Sequence, residues 1–308
     1  PTTAKLRMFY ALAELRSGDV DSAAHELALA QAFWNGDRER FGDALARSRI
    51  VEGQIAKQRG DFDGAVRVYR AAVPEAVATL GADADDTINI ENSLALVLMQ
   101  TGELDEAEAL MQHVLAAKEA LGRTSDDAVT ARQNLGAIAF SRGDYARAES
   151  LLRAALDARR DTYGPSAAMA AAELSLARTL IRSGRPDAAQ DALAEAAQMA
   201  LHFTGDHSPL TLAVDQAEAE AAIARGDAAA AAPLVERALK EDAAFGDKTP
   251  LYALTLALEA RLRALQGRDD EARALLADAE GRLAALGSAG RTNLAYVRSL
   301  ERVVAAAH

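Results

Sequence analysis

The chain has 308 residues, half of them apolar but only 5% aromatic, and carries a formal net charge of −12. So acidic a surface excludes direct nucleic-acid binding as the expected role, because phosphate recognition needs a basic face. Without cysteine there is no disulfide framework and no thiolate metal site.

Ala and Leu dominate the apolar residues and only seven prolines occur, which favours helices packed through small side chains. The first predicted element reaches the turn RSGDVDSA at Arg16, and a second follows it. The same turn returns as RGDFDGA, TGELDEA, RGDYARA, SGRPDAA, RGDAAAA and QGRDDEA. Its glycines are Gly18, Gly60, Gly102, Gly143, Gly184, Gly226 and Gly267, always 41 or 42 residues apart. A second series, Gly36, Gly81, Gly122, Gly164, Gly205, Gly246 and Gly287, marks the other end of each unit. Glycine just past a helix accepts the left-handed conformation that ends it. The segments between glycines show helical apolar spacing, so each unit reads as a helical hairpin. The units span 1–36, 37–81, 82–122, 123–164, 165–205, 206–246 and 247–287 of one array, followed by a capping helix over 290–306.

Small residues predict how each hairpin closes. Five residues after the turn glycine stands Ala in all seven units, from Ala23 to Ala272; seven before it stands Ala or Gly, including Gly53 and Gly136. Nine after it comes a larger filler, such as Leu27, Tyr69, Met111 or Leu152. Larger side chains at the small positions would push the two helices apart.

This pattern resembles the tetratricopeptide repeat. The 41–42-residue period and connectors such as TLGADADDT resemble its longer kinesin-light-chain-like subtype, as do the fragments Asn92-Ser-Leu94-Ala95 and Asn134-Leu135-Gly136. The resemblance covers essentially the whole chain. It departs from the family where a large aromatic of the first helix is replaced by Arg, Glu, Asp or Leu. It implies an all-α, right-handed α-solenoid of seven hairpins plus the cap. It also implies a non-catalytic scaffold that binds a protein or peptide in a concave groove.

At the ends, Leu294, Val297, Leu300 and Val304 share one face of the cap, with Asn293, Arg298, Glu301 and Arg302 on the other. Leu6, Met8, Phe9 and Leu12 have no earlier repeat to cover them, so they await a preceding element or self-association through the N-terminal helix. The chain opens at Pro1 without Met and reads as a piece of a longer, bacterial signalling protein.

Chemistry is sparse. His202 and His207 flank a turn without the spacing of a metal pair, and Asp83, Asp85 and Asp86 precede Leu94 where a calcium loop needs Glu. Gly246-Asp-Lys-Thr has Glu241 where a phosphate loop needs its first glycine. Neither catalytic residues nor a cofactor are expected, and no apolar run is long enough to insert into a membrane. The cytoplasm is the expected compartment, with a periplasmic part of a membrane-anchored protein as the alternative.

Binding is therefore read onto the first helix of each hairpin, where residues ten, six and two before the turn glycine form one stripe. It offers Gln54 and Gln58, then Asn92 and Gln100, then Gln133 with Asn134 beside it, then Arg178 and Arg182. Amides can hold an extended backbone, and the two arginines can clamp a carboxylate. The family resemblance assigns peptide contact to Asn92 and Asn134. For each single residue the alternative is an ordinary solvated helix face. The array would follow a Ser/Thr kinase domain. The rival is the ligand-sensing domain of a transcriptional regulator responding to a small peptide or metabolite.

Overall fold

A computed structural model describes residues 2–121, 125–246 and 249–305. Gly122, Asp247, Lys248, Ala306 and His308 lie outside the described residues, as do the side chains of Arg302 and Val304. The described residues form fifteen α-helices and no strand, an all-α fold of the helical-repeat solenoid class.

Two compact units divide the chain, residues 1–121 and 122–308. The first holds α1 (Thr2–Ser17), α2 (Val20–Asn35), α3 (Arg38–Gln58), α4 (Phe62–Leu80), α5 (Asp85–Thr101) and α6 (Leu104–Leu121). The second holds α7 (Asp126–Ser141), α8 (Tyr145–Thr162), α9 (Ala167–Arg182), α10 (Gln190–Thr204), α11 (Pro209–Ala224) and α12 (Ala228–Phe245). It continues with α13 (Pro250–Leu265), α14 (Asp269–Ala285) and α15 (Arg291–Ala305). Each odd-numbered helix up to α13 packs on the helix that follows it.

The recurring turn is built the same way seven times. Its glycine has φ between 74° and 89°, a region open to glycine at little steric cost. The next residue donates its backbone N–H to the carbonyl five residues back at 2.9–3.0 Å, as Asp61 does to Ala56 and Asp227 to Ala222. That 6→1 bond satisfies a carbonyl that the helix end would otherwise leave unpaired. Asp61, Asp144 and Asp227 then cap the second helix, each accepting from the backbone N–H three residues on. The three RGD triplets are therefore Schellman-type turns followed by an N-cap. Arg185 and Arg268 replace that Asp, and no side chain caps those starts; α10 begins with a 3-10 turn over Asp187–Ala189 instead. Gly36 departs from the second glycine series: it keeps a right-handed conformation, and α3 follows almost at once with a kink at Phe41.

The close approach of paired helices is borne by the predicted small residues. All seven alanines five residues after the turn glycine are fully buried. A Cβ on Gly53 would lie 2.2 Å from the Tyr69 ring, and one on Gly136 would lie 2.9 Å from Leu152 Cγ. Small position seven before and filler nine after the turn therefore meet face to face. On α15, Val297 and Leu300 are buried with Leu294 packed beside them, and Arg298 and Glu301 face solvent. Asn293 instead lines a cavity of the second unit.

Candidate functional site

The stripe residues divide between the two units. In the first, Gln54 and Asn92 are half-buried, and Gln58 and Gln100 are exposed. Gln58 Nε2 donates to the Leu15 carbonyl at 3.1 Å, so its amide ties α3 to α1. In the second unit Gln133 and Asn134 lie half-buried on α7. Arg178 and Arg182, one helical turn apart on α9, line a cavity of about 410 Å³ with Phe140, Gln216, Glu220 and Tyr296.

Three consecutive hairpins supply the charges there. Glu220 on α11 occupies the same stripe position as Arg178 on α9 and Arg261 on α13, six residues before the turn glycine. Glu220 Oε1 accepts from Arg182 Nε at 2.6 Å, from Arg261 Nη1 at 3.1 Å and from the Tyr296 hydroxyl at 3.3 Å. The Arg182 guanidinium also stands 3.6 Å from the centre of the Tyr296 ring and 5.5 Å from that of Phe140, a cation–π arrangement. Burial pushes the Glu220 carboxyl up, but Arg182 and Arg261, with Arg178, outweigh it and hold the group below its ordinary range. Burial and the nearby Glu220 charge push the Tyr296 hydroxyl up to about 12, so it stays a hydrogen-bond donor at neutral pH.

Arg178 differs from its neighbours. Its Nη2 donates to the Ala213 carbonyl at 3.1 Å and lies 3.5 Å from Gln216 Oε1. Among the described residues no carboxylate lies within ion-pair distance of it. Burial, and after Glu220 the like charge of Arg182, set its proton affinity, and the balance is downward. Its orientation is held from behind: Gln216 Nε2 donates to Asp242 Oδ2 at 3.1 Å and to Thr255 Oγ1 at 2.7 Å, which fixes the amide oxygen. Two guanidiniums thus share the Glu220 carboxylate and a third, that of Arg178, stands in the same cavity without one, in a chain that is acidic as a whole. The arrangement can receive a further anionic group without proton transfer or bond breaking.

Stripe spacing brings Gln216, Glu220 and Arg261 into this group, and their complementary charges one repeat apart are readable in the sequence. Tyr296 carries no such signal, because α15 lies outside the repeat. Phe140, two residues beyond a core position of α7, carries none either. Elsewhere, His113 Nδ1 meets Glu91 at 2.6 Å and His207 lies 3.8 Å from Glu241. Among the described residues no three His, Asp or Glu side chains are grouped so as to hold a metal ion.

Comparison with known proteins agrees with a helical repeat. Tetratricopeptide-repeat models match residues 46–71, 86–161 and 124–200. The chain carries tetratricopeptide repeats over these residues. Nothing among the curated proteins matches it. Among solved structures, a kinesin light chain with nearly identical TPR-like repeats from Podosopora anserina is 21% identical, with a TM-score of 0.55 over 67% of this chain and 97% of that one. BtubC (BKLC) from P. vanneervenii is 25% identical, with a TM-score of 0.58 over 73% of this chain and 90% of its own. A Rap protein complexed with Competence and Sporulation Factor is 13% identical, with a TM-score of 0.62 over the full length of both. No helix among the described residues is long and apolar enough to cross a membrane.

Proposed function

We propose that this repeat protein is a non-catalytic scaffold that binds a peptide or a segment of a partner protein, and that Arg178 anchors a carboxylate of that ligand. The observation that carries the reading is a half-buried guanidinium, lining a cavity, whose partners are one carbonyl and one amide. Arg182 and Arg261 are already matched by Glu220; Arg178 retains N–H groups for a bidentate acceptor. Gln54, Gln58, Asn92 and Gln100 in the first unit, and Gln133 and Asn134 in the second, are proposed contacts for ligand backbone. The complex of a similar fold with Competence and Sporulation Factor supports a binding role. Attachment to a Ser/Thr kinase in a larger signalling protein is part of the proposal.

The test is selection of nonapeptides with free carboxyl ends on the immobilised chain. Enriched peptides should lose at least tenfold in affinity against Arg178→Ala and should be weakened by Asn92→Ala with Asn134→Ala. Equal binding to Arg178→Ala overturns the anchor, and unchanged binding to the double variant removes the amides.

A second reading, a sensor of a small peptide or metabolite, is favoured by the cavity volume, which suits a compact ligand. Thermal stabilisation by small organic acids rather than by nonapeptides would select it.

Self-association is proposed through α1. Leu6 stands twelve residues before its turn glycine, where the other hairpins have Ser48, Ile90, Ala131, Ala172, Val214 and Thr255, none more than 2% exposed. Leu6 and Phe9 are each 62% exposed. Leu6→Glu with Phe9→Glu should abolish concentration-dependent sedimentation; a chain that sediments as a monomer throughout contradicts this.

A further inference from the structure

We propose that Tyr296 is a built-in occupant of the arginine cavity, standing in for a ligand chain end in which an aromatic ring sits beside a free carboxylate. The inference rests on the binding reading above and adds the ligand class and a means of regulation.

A capping helix needs one apolar face to seal the last repeat, and Val297 and Leu300 supply it. Tyr296 packs against the edge of that core and also lines the cavity, where it reaches Glu220, 76 residues earlier, and Arg182. Both contacts are those that a bound aromatic side chain would make: a π face against a guanidinium and a hydroxyl donated to a carboxylate. Tyr296 leaves one element of the cavity unused, the Arg178 guanidinium. Residues four apart on a helix lie roughly 5–6 Å apart. A ring on Arg182 therefore leaves a carboxylate of the same residue in reach of Arg178, as in a carboxyl-terminal tyrosine or a free aromatic acid.

Such a ligand cannot stack on Arg182 until Tyr296 withdraws. Binding and release of α15 are then linked, and each weakens the other by the same factor. α15 follows a 3-10 turn over Gly287–Gly290, with Gly287 at φ 61°, so the plug is attached through a short glycine-bounded connector.

The experiment titrates trialanyl-tyrosine into the full chain by calorimetry, beside its carboxyl-terminal amide and N-acetyl-tyrosine. Tyr296→Ala should bind the free acid at least tenfold more tightly than the unaltered chain. The amide should lose at least tenfold, and Arg178→Ala in the Tyr296→Ala background should lose as much. In the unaltered chain, saturating peptide should speed amide hydrogen exchange across residues 291–301. Binding of N-acetyl-tyrosine as tight as that of the peptide supports the proposal with a free aromatic acid as ligand. Equal affinity of the unaltered chain and Tyr296→Ala overturns the plug; if binding still needs Arg178, the anchor survives. Unchanged exchange in α15 at saturation overturns the plug even if Tyr296→Ala does not fold. Absence of binding to either protein removes both the plug and the anchor.

Discussion

The two compact units use the same hairpin and the same stripe, yet the stripes behave differently. In the first unit Arg16 is the one charged stripe residue and no carboxylate stands on the stripe, and Gln58 gives its amide to the backbone of the preceding hairpin. In the second unit opposite charges stand one repeat apart, so Arg182, Glu220 and Arg261 draw together, and Arg182 and Glu220 border a cavity. The backbone register places a residue on the stripe; complementary charge at a spacing of one repeat decides whether the stripe becomes a site.

The sharpest way to break this contrast is to remove the shared carboxylate. Glu220→Ala leaves Arg182 and Arg261 largely buried without their shared carboxylate, and should cost about 3–4 kcal/mol by urea unfolding. Hydrogen exchange should report the loss in α9, α11 and α13. A loss under about 1 kcal/mol would mean that the cavity does not depend on the ion cluster.

The second prediction concerns what the units share. Gly53→Ala in the first unit drives a methyl into the Tyr69 ring, where Tyr69 Oη is also bonded to the Ile50 carbonyl at 3.2 Å. Overpacking should cost about 2–3 kcal/mol, well above the roughly 1 kcal/mol that alanine returns in helix propensity. Gly136→Ala in the second unit meets Leu152 less severely and should be near neutral, because propensity offsets the smaller overlap. Equal losses would mean that the two hairpins close alike.

The third is a pH effect confined to the second unit. Glu173 on α9 is 1% exposed and bonds Arg160 at 2.6 Å. Burial pushes its carboxyl up to about 7; Arg160 opposes this, while Glu195 and Asp157 add to it. A carboxyl raised in the folded state favours folding while protonated. That contribution is whole below the unfolded value near 4.5 and is lost as pH rises through about 7. The unaltered chain should therefore lose on the order of 1–2 kcal/mol more than Glu173→Gln between pH 5 and pH 8. Parallel stability curves for the two proteins would contradict this.

The smallest effect returns to the first unit. Gln58→Ala removes one half-exposed hydrogen bond and should cost about 0.5–1 kcal/mol by chemical denaturation. A loss as large as that of Glu220→Ala would erase the contrast between the stripes.

The fold was legible in the sequence because backbone conformation and close approach both demand particular residues. Seven glycines with positive φ and seven fully buried alanines leave an imprint at a fixed period. The site was legible only where it follows that period. Arg178 and Arg182 stand on the stripe, and so does their partner Glu220, although abundant Glu on an acidic chain conceals a buried one. Tyr296 was not legible, since no repeat position predicts which side of a terminal helix turns inward. Asn293, which the pattern of α15 assigns to the outer face, lines the cavity for the same reason.

One measurement bears most directly on the claim that Arg178 is a waiting anchor: a crystal structure of the chain with a peptide taken from the selection. A peptide carboxylate within about 3 Å of the Arg178 guanidinium is the predicted result. A peptide seated elsewhere, with Arg178 still bonded only to Ala213 and Gln216, would contradict it.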